Sequence, residues 1–139
     1  METPRRPLDG ILVLDLGHIY QAPYCGFLMA MAGATVIKIE PPRGEPLRRR
    51  SAVAGGSVPQ AMLNSNKLGL SLDLKNPQGQ EVFLRLVDRA DVLIENFSPG
   101  AMDRLGLGYE TLRQRNPRLI YACGSGYGQT GPDRDRLAM

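Results

Sequence analysis

Residues 8–42 read LDGILVLDLGHIYQAPYCGFLMAMAGATVIKIEPP, with two apolar runs of strand length on either side of a helical pattern. The first run covers residues 10–16, and the second covers Thr35 to Ile39. Residues 22–32 contain good helix formers, and Gly33 can supply the left-handed conformation that ends a helix. We predict one β-α-β unit, whose strands are parallel because a helix connects them.

The turn between the first strand and the helix, residues 17–23, contains the only histidine of the chain, His18. Ligands of open α/β sheets bind at the carboxyl ends of the strands, so His18 is a candidate ligand contact. A histidine that is hydrogen-bonded within its own loop is an equally good interpretation. A metal site is not expected, because no second His or Cys lies nearby in the sequence.

Three further apolar runs predict strands, at Leu70 to Leu74, Val92 to Glu95 and Leu119 to Cys123. Helices are predicted between them, after the capping pairs Asn76-Pro77 and Ser98-Pro99 and at Tyr109 to Arg115. Residues 41–65, rich in Pro, Gly, Ser and Arg, predict a long surface loop. The order of elements predicts an α/β fold, a Rossmann-like, doubly wound and mostly parallel sheet with flanking helices.

The predicted sheet is incomplete at its C-terminal end. After Leu119 to Cys123 the sequence continues as a glycine-rich loop and a charged tail, without another packed element. An uncovered last strand is an aggregation liability. We therefore expect residues 1–139 to form a single domain that is the N-terminal part of a larger one.

Composition narrows the class of protein. Seventeen Lys and Arg against fourteen Asp and Glu give a net charge of +3, and the aromatic residues are three Phe and five Tyr with no Trp. Nucleic-acid binders carry denser basic faces, so we expect no such partner. The start lacks a secretory apolar segment, and the run from Tyr24 to Ala32 is too short to span a bilayer. Cys25 and Cys123 are expected to be buried, reduced thiols, and the protein cytoplasmic.

Other residues near predicted strand ends carry chemistry suited to an anionic or heterocyclic ligand. Lys75 and Arg104 lie where anions bind readily, and Asn96-Phe97 directly follows a strand. Arginines at positions 43 and 48–50 can hold phosphate or form a solvated loop. The GxGxxG match at residues 126–131 lacks the following helix and acidic residue of a dinucleotide site, and Ser125 lacks the partners of a catalytic triad.

Seven segments, in order along nearly the whole chain, carry a family resemblance. They are residues 7–16 (PLDGILVLDL), 33–42 (GATVIKIEPP), 66–67 with 72–75 (NK and LDLK), 90–100 (ADVLIENFSPG), 104–108 (RLGLG), 116–121 (NPRLIY) and 126–132 (GYGQTGP). Together they resemble the CaiB/BaiF family, also called family III CoA-transferases. This family includes formyl-CoA transferase and the α-methylacyl-CoA racemases.

The resemblance implies a site for a CoA ester on a Rossmann-like half domain, in a subunit that interlocks with its twin as a homodimer. By matching motif, the residues His18, Ile19, Tyr20 and Gln21 would lie near the thioester. Leu72 to Lys75 and Asn96-Phe97 would frame the nucleotide, and Arg104 would contact phosphate. The substrates implied are an acyl-CoA and a carboxylic acid, with no cofactor other than the CoA ester itself.

In this family an aspartate downstream of the Gly-Gln-Thr-Gly-Pro loop attacks the acyl-CoA and leads to an aspartyl-CoA intermediate; residues 1–139 end before it. We therefore expect no catalytic residue in this chain and no turnover by the chain alone. Two alternatives stay open. One is a racemase-like enzyme acting beside the thioester, whose acid and base would also lie further along. The other is an inactive, truncated remnant that at most binds CoA.

Overall fold

The computed structural model describes residues 5–50, 52–53 and 56–136, and its centre is a five-stranded, all-parallel sheet. The strands of this sheet are β1 (Leu12–Asp15), β2 (Thr35–Glu40), β5 (Leu68–Ser71), β6 (Val92–Glu95) and β7 (Ile120–Cys123). Two short strands, β3 (Ala52–Val53) and β4 (Gly56–Ser57), pair separately. The spatial order β5-β2-β1-β6-β7 places β1 at the centre, and the predicted α/β fold is confirmed.

In the described residues, five helices flank the strands: α1 (Gln21–Met31), α2 (Val58–Leu63), α3 (Pro77–Val87), α4 (Ala101–Arg104) and α5 (Tyr109–Arg115). The predicted cap of α3 is confirmed, because the Asn76 side chain accepts a hydrogen bond from the backbone N–H of Gln78 at 2.9 Å. Gly33, at a φ of 109°, follows α1 as predicted. The chain then enters β2, which lies parallel to β1.

Apolar side chains alternate between the two faces of the sheet. Leu14 faces a core that includes Phe83 of α3 and Leu112 of α5. Val13 faces the opposite core, with Ala30 of α1. Both faces of β1 are therefore covered, as expected for a central strand of a parallel sheet.

Three local predictions were wrong. Residues 41–65 are not a plain loop, because they include a 3₁₀ helix (Pro46–Arg49), the β3–β4 pair and α2. The strand predicted at Leu70 to Leu74 lies at Leu68–Ser71, where pairing with Ile37–Glu40 fixes it. The cap of α4 is Gly100, at a φ of 72°, rather than Ser98.

The last strand, β7, lies at an edge of the sheet, and Ile120 on it is 63% exposed. Residues 124–136 contain neither helix nor strand, so the GxGxxG match at residues 126–131 opens no helix. Cys25 is exposed on α1 and Cys123 is only partly buried, so the predicted burial of both thiols was wrong. Within the described ranges, no helix has the length and apolar character needed to cross a bilayer.

Candidate functional site

The turn after β1 is held by side chains from several elements. The Gly17 N–H donates to Asp15 Oδ1 at 2.8 Å, and the Lys38 ammonium donates to the Gly17 carbonyl. The Asn96 side chain accepts from the His18 N–H at 2.7 Å and donates to the His18 carbonyl at 3.0 Å. Strands β1, β2 and β6 thus jointly fix the backbone around His18.

Ile19 occupies the left-handed region, with a φ of 64°. This conformation is unusual for a β-branched residue and costs roughly 1–3 kcal/mol. Its N–H donates to Glu45 Oε2 at 3.1 Å, and Glu45 is fully buried. A side chain from the segment after β2 therefore helps to hold the turn in a strained shape.

Two cavities open on either side of His18. The apolar cavity has a volume of about 180 Å³. It is lined by Leu16, His18, Ile39, Glu40, Pro41, Leu72, Asp73, Leu74, Lys75, Phe97 and Leu105. The rings of His18 and Phe97 are in contact, with centroids 4.8 Å apart and planes tilted by 53°. An aromatic ring, aliphatic side chains and the Lys75 ammonium group in one lining suit a flat heterocycle attached to an anion.

The polar cavity has a volume of about 640 Å³. It is lined by His18, Ile19, Tyr20, Gln21, Arg50, Asn96, Gly124 and Gly126. Eight of the nine predicted site residues therefore line one or both cavities, which meet at His18. The exception is Arg104, which is exposed and donates to the Pro99 carbonyl at 3.4 Å, while its neighbour Leu105 lines the apolar cavity.

Beneath the turn lies a group of buried charges, Asp15, Lys38 and Lys67, that are not among the predicted site residues. Lys67 Nζ donates to Asp15 Oδ2 at 2.7 Å, and Lys38 Nζ lies 3.7 Å from Asp15 Oδ1. The side chains of all three residues are at most 3% exposed. One sequence feature could have revealed this group. Asp15 and Lys38 are each the single charged residue inside an otherwise apolar run of strand length. Because a buried charge is costly without a partner, each predicts a counter-charge elsewhere.

A second charged group lies at the end of β2. The Arg48 guanidinium forms a two-pronged bond with the Glu40 carboxylate, at 2.6 Å for each N–O pair. The Glu45 N–H also donates to Glu40 Oε2, at 3.0 Å. Glu45 Oε1 is buried and has no hydrogen-bond partner among the described residues. Arg48 is therefore engaged in an ion pair rather than available for phosphate.

Burial and neighbouring charges shift the pKa values of several of these groups. Burial, reinforced by the Lys38 charge, lowers the pKa of His18 below 6.5, so the imidazole is neutral at pH 7. Burial also lowers the pKa of Lys67, against the opposing effect of Asp15. For Glu40, burial would raise the pKa, but the Arg48 and Glu45 hydrogen bonds lower it below its usual value.

A further cavity, of about 590 Å³, lies beside β7 and contains none of the predicted site residues. It includes the buried carboxylate of Glu95, which accepts from the Phe97 N–H at 2.7 Å. Burial is the main cause that raises the pKa of Cys123 to about 12, and the Glu95 carboxylate adds to it. The same two causes raise the pKa of Tyr121. The Cys123 thiol is therefore neutral and a poor nucleophile.

The fold, with two cavities that share His18 in their linings, agrees with a match to a known protein family. The sequence profile of CoA-transferase family III matches residues 8–139, so the chain belongs to this family. This confirms the resemblance inferred from the seven segments.

Particular relatives show how much of a family member the chain covers. Succinyl-CoA--D-citramalate CoA-transferase of Chloroflexus aurantiacus is 45% identical, over 99% of this chain and 35% of the relative. Acetyl-CoA:oxalate CoA-transferase of Acetobacter aceti is 47% identical, over 93% of this chain and 34% of the relative. The crystal structure of hypothetical protein Rv3272 from Mycobacterium tuberculosis superposes with a TM-score of 0.92 at 40% identity, covering 99% of this chain and 38% of that one. The chain thus spans about a third of the length of these relatives.

Proposed function

We propose that this chain is the N-terminal, CoA-binding part of an enzyme that moves CoA between an acyl-CoA and a carboxylic acid. The observation that supports the proposal is the pair of cavities that meet at His18, in a chain of this family. One cavity has an apolar and aromatic lining suited to the base of a nucleotide, and the other has room and polar groups for the thioester end.

In this proposal the nucleotide binds against Phe97 and Leu72, with Lys75 near a phosphate. Lys75 lines the apolar cavity and is exposed, so its three donors are free to bind phosphate oxygens. The pantetheine chain then passes His18 and brings the thioester into the polar cavity. The neutral His18 and the amide groups of Gln21 and Asn96 can hydrogen-bond the thioester end without adding charge.

The covalent steps need a carboxylate that the polar cavity does not have among the described residues. Asp15 is unsuitable, because it is fully buried and paired with two lysines. We propose, from the family resemblance, an aspartate after residue 139. It attacks the thioester carbonyl and releases CoA thiolate, and the thiolate then attacks the aspartyl carbonyl and releases the donor acid. The 139-residue chain alone should therefore bind CoA without turnover.

The names of two relatives favour acid exchange over racemisation. One pairs succinyl-CoA with D-citramalate and the other pairs acetyl-CoA with oxalate, so each name joins a CoA ester to a carboxylic acid. By the same resemblance we propose an interlocked homodimer that acts in the cytoplasm, with the CoA ester as substrate and no additional cofactor. Sedimentation of the purified protein would test the dimer.

Calorimetric titration of the chain with CoA tests the binding site. Phe97→Ala should weaken CoA binding roughly tenfold or more, because stacking on one base is worth about 1–3 kcal/mol. Phe27→Ala is the matched control, since Phe27 lies on α1 and lines neither cavity. Equal losses for both variants, or no heat with the unmodified chain, would contradict the proposed site.

A second experiment tests the transfer itself. A polypeptide extended to the length of the relatives should exchange labelled CoA between an acyl-CoA and a free carboxylate. No exchange across a panel of mono- and dicarboxylates would contradict the activity, even if CoA binds.

A further inference from the structure

We propose that Glu45 is a positioning residue for the thioester end of the substrate, although it lines neither cavity. Its carboxylate holds Ile19 in the left-handed conformation with which the turn presents His18 and Gln21 to the polar cavity. This inference rests on the proposed function and adds a residue from outside the predicted site.

The backbone at Ile19 is the exceptional position of the turn. Two described residues other than glycine have a positive φ, Asn66 at 62° and Ile19 at 64°. Asparagine adopts this conformation readily, because its short side chain can bond locally, whereas a β-branched side chain is crowded by it. Such strain persists only where the surrounding structure enforces it, and it clusters at functional sites. A contact from outside the turn is therefore needed to hold Ile19.

The Glu45 carboxylate supplies this contact from a fixed position. Its Oε2 accepts from the Ile19 N–H at 3.1 Å, and the residue is fully buried. The Glu45 N–H donates to Glu40 at the end of β2, and Arg48 binds the same Glu40 carboxylate. A hydrogen bond to a carboxylate contributes a free energy of the same order as the cost of one left-handed residue. Loss of this single bond can therefore release the turn.

The second oxygen of Glu45 indicates that the carboxylate is not there for stability. Oε1 is buried and has no hydrogen-bond partner among the described residues. Glu45 also forms no salt bridge with a described residue, and the Ile19 N–H is the one described donor to its side chain. A buried carboxylate without a close cation is costly, so stability alone would favour an apolar side chain at this position. A requirement for the bond to Ile19 explains why a carboxylate is present.

The conformation of Ile19 sets the relative positions of the groups on either side of it. Asn96 binds both the N–H and the carbonyl of His18, so the chain before Ile19 is fixed to the end of β6. After Ile19 the chain enters α1, whose first residue, Gln21, lies against Gly124; a Cβ on this glycine would be 2.8 Å from Gln21 Oε1. A change of φ at Ile19 would therefore move His18 and Gln21 relative to each other. Both are proposed to hydrogen-bond the thioester end.

A pair of stable CoA thioethers isolates the contact to the carbonyl group. S-acetonyl-CoA carries a ketone oxygen where S-(2-methylallyl)-CoA carries a CH₂ group, and the two are otherwise alike in shape. Calorimetry on the 139-residue chain should show roughly tenfold tighter binding of the ketone, equivalent to about 1.4 kcal/mol. Because both ligands share the CoA part, this ratio reports the carbonyl contact. Glu45→Met should abolish the ratio, because methionine has a similar volume but gives the Ile19 N–H no oxygen acceptor.

Two rescues distinguish positioning from a general effect on the fold. Glu45→Gln keeps an acceptor for the Ile19 N–H and should retain part of the preference for the ketone. Ile19→Gly removes the cost of the positive φ, so Glu45→Met combined with Ile19→Gly should recover the preference. The control is Val87→Ala, since Val87 is fully buried on α3 and lines neither cavity. It should lower the urea midpoint and leave the preference unchanged.

The outcomes separate the inference from the proposed function. If CoA itself does not bind to the chain, the proposed function fails, and the inference about Glu45 fails with it. If CoA binds but the two thioethers bind equally to the unmodified chain, only the inference is overturned. It is also overturned if Glu45→Met keeps the preference, if the double variant does not recover it, or if Val87→Ala loses it. Circular dichroism that shows Glu45→Met to be unfolded overturns it too, because the carboxylate then serves the fold.

Discussion

Replacing Lys67 by methionine should destabilise the fold strongly. The ammonium donates to three acceptors, Asp15 Oδ2 at 2.7 Å, the Pro23 carbonyl at 2.8 Å and Asn64 Oδ1 at 3.1 Å. The Lys67 side chain is 1% exposed and the Asp15 side chain is fully buried. Methionine fills a similar volume but provides no charge, so the Asp15 carboxylate loses its closest partner.

The expected magnitude follows from the remaining contacts. Breaking a buried ion pair by removing one partner costs about 3–5 kcal/mol. Lys38 Nζ stays 3.7 Å from Asp15, and the Gly17 N–H still donates to this carboxylate. The loss in the free energy of unfolding should therefore lie near the lower end, at about 3 kcal/mol. A domain of this size has roughly 5–15 kcal/mol in total, so the effect is large.

Urea denaturation followed by circular dichroism measures this loss. Lys75→Met is the matched control, because Lys75 is exposed and makes no side-chain hydrogen bond among the described residues; it should cost less than about 0.5 kcal/mol. The double variant Asp15→Asn with Lys67→Met should lose less than the sum of the two single losses, since the residues are in contact. Equal stabilities of the Lys67 and Lys75 variants would refute the reasoning.

Three further predictions concern pH, thiol reactivity and packing. Because the folded pKa of His18 lies below 6.5, the unfolded chain binds the proton more tightly, and the free energy of unfolding should fall as the pH drops from 6.5 through the folded value. Urea midpoints of His18→Gln should lack this slope, and an unchanged slope would contradict the assignment. An alkylating reagent at pH 8 should modify the exposed Cys25 well before Cys123, whose pKa is about 12; mass spectrometry showing equal rates would be the contrary result. Gly26→Ala should destabilise the chain by about 1–3 kcal/mol in urea denaturation, despite the better helix propensity of alanine, because its Cβ would lie 2.6 Å from Asp15 Oδ2; a stabilised variant would show that the helix shifts freely.

The β-α-β unit and the position of His18 were predictable because they depend on local patterns. Apolar runs, a helical segment and Gly33 specify this unit within 35 consecutive residues. The parallel sheet then brings Asn96, at the end of β6, beside His18. Strand order alone therefore explains why residues far apart in sequence line the same cavities.

The other features of the site and of the fold around it depend on contacts that no local sequence pattern reveals. Asp15 and Lys67 are 52 positions apart, and their pairing requires the segment after α2 to return to β1. The left-handed Ile19 depends on Glu45, which lies in the region predicted as a loop. The elements in that region have two to six residues each, too short for a periodic signal, and they are held by packing of residues such as Leu47.

The exposure of Cys25 has a similar origin. Helix α1 is apolar around most of its circumference, so its sequence does not show which face is buried. Tyr24, Leu28 and Met31 on this helix are each at least half exposed, together with Cys25. An apolar sequence here indicates a helix but not its orientation.

The most direct test of the CoA site uses the single histidine. His18 lies where the two cavities meet, and it gives the only imidazole signals in the NMR spectrum of this chain. Titration with CoA should shift these signals in proportion to the binding measured by calorimetry, and S-butyl-CoA should shift them as well. Binding of CoA that leaves the His18 signals unmoved would contradict the placement of CoA in these two cavities.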